Sequence, residues 1–312
     1  MPPGWGRCVV TIGVFDGVHR GHAQLIAAAT RAAAERGIPS VLMTFDPHPS
    51  EVVRPGTHPP QLSTLHRRAD LAQEMGIDVF CVIPFTPTLA AQSPEEFAHE
   101  VLVEQLHAAA VVVGDNFTFG HKALGDVAKL TELGERFGFE VTGVSLFGEH
   151  AVTYSSTYIR SCVSSGDVEL AAEALGRPHR VEGVVVHGAK RGRDLGYPTA
   201  NVAATVHAAI PGDGVYAAWF TVLPSANEPQ GMVIGRRYPA AVSVGTNPTF
   251  SGRNRTVEAY ILDVDVDVYG QHVAVDFVSR IRGMDAYDSL DALIAAIRDD
   301  VDRTRVILGV DD

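Results

Sequence analysis

The stretch CVVTIGVFDGVHRGH, from Cys8 to His22, sets the architecture of the first half of the chain. It opens with a continuous apolar run, which is typical of a strand buried on both faces of a parallel sheet. A glycine-containing turn follows, and the next residues carry one apolar face at helical spacing, which predicts a helix over about Gly21–Arg36. The stretch therefore indicates a strand, a tight turn and a helix N-terminus in direct succession.

The turn and the helix start favour anion binding. A helix N-terminus presents unpaired backbone N–H groups and the positive end of the helix dipole, so phosphate is a natural ligand there. His19 and His22 are three residues apart, so both imidazoles can point to one spot, and Gly21 lets a phosphate approach the backbone. The alternative is a surface turn that happens to contain two histidines. The position directly after the first strand favours the phosphate site.

The two halves of the chain carry different patterns. In the first half, continuous apolar runs alternate with helical patterns, which predicts an α/β domain with a parallel sheet covered on both faces. The second half has largely period-two segments divided by Gly, Pro and Asn turns, which predicts an antiparallel β-barrel, and it closes with a helical apolar stripe. Gly176 and Pro178 stop a helix before the first barrel strand. We therefore predict two domains, 1–178 and 179–312.

Composition limits the partners and the compartment. The 312 residues carry a formal net charge of −12, which disfavours wrapping nucleic acid through phosphate contacts. The three cysteines are far apart, so no disulfide framework or CxxC metal site is expected. No apolar run is long enough to span a membrane, and the start lacks the features of a secretion signal. The sequence predicts a cytoplasmic protein without nucleic-acid or membrane partners.

Two further stretches of the first half can contribute to a site. GDNFTFG, residues 114–120, follows a buried strand and sets aromatic residues between glycines, which suits a planar ring; by itself it also fits an ordinary turn with two core phenylalanines. YSSTYIR, residues 154–160, puts three hydroxyls before a helix start, with Arg160 one turn later. These groups can hold phosphate oxygens, or the hydroxyls can merely cap the helix.

The second half contains a candidate metal–nucleotide site. In LGYPTAN, Thr199 and Asn201 supply two hard oxygen-bearing side chains, which suit Mg²⁺ bound through few protein ligands and nucleotide phosphates. Pro198 stiffens the approach to them, and the glycines at 188, 192 and 196 allow a loop to close over ATP. In TVEAYILD, Glu258 shares a strand face with Tyr260, so we expect it to point into or across the barrel. A buried carboxylate is costly unless it is partnered or functional, and an exposed strand charge is the alternative.

These motifs together resemble a known family. HRGH, GDNFTFG and SSTYIR, in that order, resemble the adenylyltransferase module of the prokaryotic bifunctional riboflavin kinase/FAD synthetases, which belong to the HxGH nucleotidyltransferase superfamily. HGAKRGRDLGYPTAN, GVYAAW, VGTNPTF and VEAYILDVDVDVYG resemble the kinase module in order and spacing. The resemblance covers about residues 7–297. It implies a Rossmann-like nucleotidyltransferase domain followed by a Greek-key, riboflavin kinase-like barrel with a terminal helix.

The resemblance also implies two ATP-dependent reactions: riboflavin to FMN in the barrel, and FMN to FAD plus pyrophosphate in the first domain, with Mg²⁺ as cofactor. Glu258 is then the base that takes the proton of the ribityl 5′-hydroxyl, and His19, His22 and Arg160 act in adenylyl transfer. The implied ATP site of the adenylyltransferase comprises Gly13, Phe15, Asp16, Gly17, His19, Gly21, His22, Ser155, Ser156, Thr157 and Arg160, and its flavin contacts are Asn116 and Phe117. The implied ATP site of the kinase comprises Gly188, Gly192, Gly196, Pro198, Thr199 and Asn201, of which Thr199 and Asn201 hold the metal.

The sequence departs from the family pattern at one place, and two other functions are considered as alternatives. The family commonly has an acidic residue in a pattern like RPExxF after the last barrel strand, whereas here Arg282 is followed by GMDAY. One alternative is a different adenylyl- or cytidylyltransferase with an unrelated barrel, which the PTAN segment disfavours. Another is a flavin-binding regulator with degenerate sites, which the intact HxGH motif, Thr199, Asn201 and Glu258 disfavour.

Overall fold

The computed structural model describes residues 6–145, 147–149, 152–188, 196–225, 231–249 and 252–310. The chain divides into two compact units. The first unit comprises Met1–Pro59 and Leu65–Ser155, and the second comprises Pro60–Thr64 and Ser156–Asp312. The second unit therefore takes in a short segment of the first half of the chain and the residues from 156 onward.

The first unit is built on a five-stranded parallel sheet with the order β3-β2-β1-β4-β5. Its strands are β1 (Cys8–Ile12), β2 (Ser40–Asp46), β3 (Val79–Pro84), β4 (Ala108–Gly114) and β5 (Glu140–Val144), and a hairpin of β6 (Gly148–Glu149) and β7 (Val152–Thr153) follows. All residues of β1 are buried, because Val10 packs into one apolar cluster and Val9 into another on the opposite face. The continuous apolar run of β1 thus forms a strand buried on both faces, as the sequence predicts.

Helices cover this sheet. They are α1 (Arg20–Arg36), α2 (Pro49–Val53), α3 (Leu65–Glu74), α4 (Pro87–Ala91), α5 (Pro94–Phe97) and α6 (Val127–Phe137), with a π-helix at Ala98–Gln105 and a 3₁₀ turn at His121–Ala123. The helix α1 begins one residue before the predicted start, because His19 caps it through its side chain, and Gly37 ends it in the left-handed conformation. Ala29 and Ala33 of α1 pack in the same buried cluster as Val9 of β1, so the helix lies against that strand.

The second unit is a closed, six-stranded antiparallel barrel with flanking helices. Its elements are α7 (Ser156–Ser165), α8 (Val168–Leu175), β8 (His179–Val186), β9 (Thr199–Ala204), β10 (Gly214–Val222), β11 (Arg237–Thr249), β12 (Gly252–Ile261), β13 (His272–Arg282) and α9 (Leu290–Leu308). The strand order is β10-β11-β12-β9-β8-β13, so β9 lies beside β12, and two strands, β11 and β12, separate it from its successor β10. This is the Greek-key connection that the family resemblance implies.

The barrel interior is filled by apolar side chains from every strand. Tyr216, Phe220 and Phe277 are among its largest fully buried side chains, and Val168 of α8 packs into the same cluster. Arg282, the last residue of β13, binds the buried Asp300 of α9 through two parallel hydrogen bonds of 2.9 and 2.8 Å. Both predicted domain architectures, the parallel α/β sheet and the antiparallel barrel, are confirmed. Among the described residues, no helix is long and apolar enough to cross a membrane.

Candidate functional site

The turn between β1 and α1 has an unusual backbone. Phe15, Gly17 and Val18 all have positive φ angles, of 52°, 82° and 40°. For a β-branched residue such as Val18 this conformation is strained, and strain of this kind persists only where the surroundings hold it. Such outliers concentrate at functional sites, so the turn is a candidate site on geometry as well as on sequence.

Buried contacts hold this turn in place. The side chains of Phe15 and Val18 are in the core, and the buried Asp16 carboxylate pairs with the buried guanidinium of Arg68 at 3.2 Å. Arg68 also donates to the backbone carbonyl of Val14. The predicted ATP ligands Phe15 and Asp16 thus shape the turn with their side chains. Arg68 lies 52 residues away in sequence, on α3, and no motif marks it.

The two histidines of the motif come together. Their rings stack with centroids 3.6 Å apart and planes at 21°. Nδ1 of His19 accepts a hydrogen bond from the backbone N–H of His22, so a neutral His19 carries its proton on Nε2. Both imidazoles therefore lie at the N-terminus of α1, as the three-residue spacing predicts.

A second segment packs against this helix start. A Cβ on Gly21 would lie 3.1 Å from the His19 ring and 3.6 Å from the carbonyl oxygen of Tyr154. The guanidinium of Arg20 lies over the rings of Phe147 and Tyr154, 4.9 and 5.6 Å from their centroids. The predicted ligand Ser155 directly follows this contact. Gly13, in contrast, directly follows β1, and its backbone N–H donates to the carbonyl oxygen of Met43 on β2.

The predicted flavin contacts lie after the neighbouring strand. Asn116 is exposed and Phe117 half-buried just beyond the end of β4, and the Phe117 ring stacks on Phe119 at 5.6 Å. β4 adjoins β1 at the point where the strand order reverses, and ligands of open α/β sheets bind at the carboxyl ends of strands flanking such a point. The HxGH turn and Asn116 therefore flank the same crevice of the first unit.

The remaining predicted phosphate ligands belong to the second unit. Ser156, Thr157 and Arg160 all lie in the first half of α7. Nε of Arg160 donates a hydrogen bond of 2.7 Å to the carbonyl oxygen of Pro60, which orients the guanidinium group. Their part in phosphate binding stays a prediction.

In the barrel, Glu258 lies on a different face from the one predicted. Val257, Ala259 and Ile261 of the same strand belong to the barrel core, so alternation directs Glu258 to the outer face, where it is half-buried. The expectation that it points into or across the barrel was wrong. The sequence suggested an interior position because Tyr260, two residues after Glu258, is on the same face of the strand.

This outer face gathers the predicted kinase residues. Asn201 of β9 is the direct partner of Glu258 on β12, and Thr199 is the partner of Tyr260. Side chains opposite each other on adjacent strands have Cβ atoms about 4.5–5.5 Å apart, so Asn201 and Glu258 are neighbours. On the other side of Glu258, Ser243 of β11 is its direct partner. No motif in the sequence marks Ser243, because its place depends only on strand register.

Gly188 closes against the same face. A Cβ at this position would lie 2.2 Å from Nδ2 and 2.5 Å from Oδ1 of Asn201, so the chain approaches the amide as only glycine allows. Gly196 has a φ of 84°, a conformation that also favours glycine, and Pro198 is half-buried beside Thr199. Gly192 lies outside the described residues.

The oxygen donors on this face fit Mg²⁺ in kind. A threonine hydroxyl, an asparagine amide and a carboxylate are hard ligands, and Mg²⁺ usually takes few of them together with waters and substrate phosphates. Among the residues that the structure describes, no group of three or more His, Cys, Asp or Glu side chains could hold a metal ion by itself. A metal here would therefore depend on the nucleotide phosphates for part of its coordination.

Comparisons with known proteins match both units. A sequence model described as FAD synthetase matches residues 2–158, and one described as riboflavin kinase matches residues 175–308. The chain is 35% identical to the bifunctional riboflavin kinase/FMN adenylyltransferase of Escherichia coli (strain K12), over 97% of this chain and 93% of that protein. The protein of the same description from Pseudomonas fluorescens is 36% identical, over 96% and 93%. A crystal structure of a macrolide-efflux protein from Streptococcus pneumoniae superposes with a TM-score of 0.86 at 32% identity, over 98% of this chain and 95% of that one.

Proposed function

Because this chain belongs to the family of bifunctional riboflavin kinase/FMN adenylyltransferases, we propose that its two reactions occur at two separate sites, one on each half of the chain. The enzyme phosphorylates riboflavin to FMN and adenylylates FMN to FAD, and ATP is the co-substrate of both reactions. We assign FAD synthesis to a functional module of residues 1–178 and riboflavin phosphorylation to one of residues 179–312.

The FAD synthetase site is assigned to the crevice beside the turn that follows β1. His19 and His22 stack at the N-terminus of α1, where they can donate hydrogen bonds to the ATP phosphates as charge builds on the α-phosphate. The FMN phosphate is already a nucleophile, so this step needs no general base. Asn116 and Phe117 flank the crevice and are assigned to the flavin. Ser155, Ser156, Thr157 and Arg160 remain predicted phosphate ligands.

The kinase site is assigned to the outer face of the barrel around Glu258. The single observation that supports this most is the register of three strands, which sets Asn201 and Ser243 directly on either side of Glu258. Glu258 accepts the proton of the ribityl 5′-hydroxyl, the oxygen attacks the γ-phosphorus of ATP, and ADP leaves on the opposite side. That the glycines at 188, 192 and 196 allow a loop to close over ATP remains a prediction from the sequence.

Mg²⁺ is proposed as the cofactor of the kinase site, held by Thr199 and Asn201. When bound, it would neutralise charge on the ATP phosphates. Glu258, beside Asn201, keeps the role of proton acceptor. A cytoplasmic location and the lack of nucleic-acid or membrane partners remain predictions from the sequence.

Product analysis tests the whole assignment. The protein is incubated with riboflavin, ATP and Mg²⁺, and the flavins are separated over time. We expect FMN first and FAD afterwards, with ADP and pyrophosphate as co-products. Omitting Mg²⁺ should stop FMN formation. A protein that binds flavins but forms neither FMN nor FAD would contradict the function and support a degenerate regulator.

A further inference from the structure

The hairpin of β11 and β12 extends beyond the other strands of the barrel. In the strand pairing that the structure describes, β10 accompanies β11 as far as Val244, and β9 accompanies β12 from Val257 onward. Between these two points, β11 and β12 pair with each other through residues 245–249 and 252–256. Two-stranded ribbons twist more strongly than strands inside a larger sheet. Glu258, which follows Val257, therefore lies where the barrel wall gives way to a two-stranded ribbon.

One carboxylate joins both strands at the base of this hairpin. Thr246 and Arg255 are direct cross-strand partners, and both bind Asp213, the residue before β10. The Thr246 hydroxyl lies 2.7 and 3.0 Å from the two carboxylate oxygens, and Nε of Arg255 donates to the carboxylate at 3.0 Å. The preceding inward-facing pair, Val244 and Val257, belongs to the barrel core. The carboxylate therefore holds the inner side of the hairpin where the apolar core ends.

Asp213 is itself held by other elements of the barrel unit. Its backbone carbonyl accepts a hydrogen bond of 2.7 Å from Nη2 of Arg280 on β13. Nη1 of Arg280 also donates to the carbonyl oxygen of Ser165, the last residue of α7. The backbone N–H of Gly212 donates to the carbonyl oxygen of Val163 in the same helix. The carboxylate thus holds the hairpin from a segment that β13 and α7 fix in place.

The contact between Asp213 and the hairpin lies near the proposed base along both strands. Arg255 is three residues before Glu258 on β12. Thr246 is three residues beyond Ser243, the direct partner of Glu258 on β11. Alternate residues of a strand point to opposite faces, so Thr246 and Arg255 face inward whereas Glu258 faces outward. Asp213 therefore acts on Glu258 through the position of the strands and not by direct contact.

We propose that Asp213 is a positioning residue of the kinase reaction: by joining the two strands of the hairpin, its carboxylate holds Glu258 in place. The inference rests on the kinase site proposed above. Without the carboxylate, the two-stranded part twists more strongly and moves Glu258 with it. A misplacement of about 1 Å in a reacting group can cost on the order of 10²-fold in rate. Asp213 takes no part in proton transfer.

Substitution at Asp213 tests this role in the full-length enzyme. Asp213→Asn keeps the shape of the side chain but offers one acceptor oxygen in place of two. It should lower the single-turnover rate of riboflavin phosphorylation at saturating substrates by about tenfold to 10²-fold. The Kd of riboflavin, measured by equilibrium dialysis with ADP and Mg²⁺ so that no transfer occurs, should stay unchanged, as should FAD synthesis from FMN. Thr246→Val removes one donor, keeps the volume and should cause a smaller loss of rate; it carries the same test if Asp213→Asn folds poorly.

A double-mutant cycle with Glu258→Gln shows whether the loss passes through Glu258. Asp213→Asn should add little to the loss in Glu258→Gln, because the side chain whose position it sets no longer takes the proton. Fully additive losses would overturn the inference. The parental rate in both Asp213→Asn and Thr246→Val would also overturn it, as would a loss that weaker riboflavin binding accounts for.

Asp263→Asn is the matched control. It removes the carboxylate from another aspartate–arginine pair of the barrel unit, in which Asp263 lies 2.7 Å from Arg305, and asparagine tolerates the positive φ of 58° at this position. It should change neither the single-turnover rate nor the riboflavin Kd. Failure of the underlying site looks different: Glu258→Gln would then keep its kinase rate, or the parent enzyme would form no FMN.

Discussion

Adding one methyl group at Gly188 should disable the kinase reaction alone. The new Cβ would lie 2.2 Å from Nδ2 of Asn201, whereas ordinary contacts begin at 3.4 Å, so the amide has to move by about 1.2 Å. A misplacement of about 1 Å in a positioning group can cost on the order of 10²-fold in rate, or about 2.7 kcal/mol in the activation free energy. We therefore expect Gly188→Ala to lower kcat/KM for riboflavin phosphorylation by about that factor.

The assay follows both half-reactions separately, riboflavin to FMN and FMN to FAD, together with the melting temperature. FAD synthesis from FMN should be unchanged. Gly283→Ala is the control, because a Cβ there would have nothing within 4 Å and its backbone is in no glycine-specific conformation.

A double-mutant cycle shows whether the effect passes through Asn201. Asn201→Ala should lower the kinase rate by itself, and Gly188→Ala should then add little in that background, because the group it displaces is gone. Fully additive losses, or a folded Gly188→Ala enzyme with the parent kinase rate, would refute the reasoning.

Three further predictions concern the two active sites and the barrel. Glu258→Gln should lower FMN formation by about 10²–10⁴-fold and leave FMN-to-FAD conversion near normal, since it removes a general base while keeping the shape; a loss below about tenfold with chemistry limiting excludes that role. His22→Ala should lower FAD synthesis by about 10²–10³-fold with riboflavin phosphorylation unchanged, whereas a merely structural turn would show a lower melting temperature and a mild loss of rate. A fragment of residues 156–312 should phosphorylate riboflavin without forming FAD. It should also melt at a higher temperature than a fragment of residues 181–312, because the shorter fragment lacks Val168, whose burial is worth about 1.5–3 kcal/mol. Equal melting temperatures would show that α8 adds nothing to the stability of the barrel.

Much of the first unit follows from the sequence alone. The continuous apolar run of β1 favours a strand that is buried on both faces. The glycine-containing turn and the capping side chain of His19 determine where the next helix begins. The three-residue spacing of His19 and His22 suffices to bring their rings together at one helix end. These features depend on local geometry, which a short stretch of chain determines by itself.

Other features depend on partners that are distant in sequence. The pairing of Asp16 with Arg68 depends on how α3 packs, and no local pattern encodes it. The face of Glu258 was predicted wrongly because both faces of β12 carry apolar residues, and period-two alternation shows which residues share a face without showing which face the barrel encloses. Barrel closure settles that question, since it buries Val257 and Ala259 and leaves Glu258 between Asn201 and Ser243. The sequence alone thus determined which residues are candidates for the chemistry. Only the tertiary structure decided which of them meet, because strand register and barrel closure join residues that no local interaction connects.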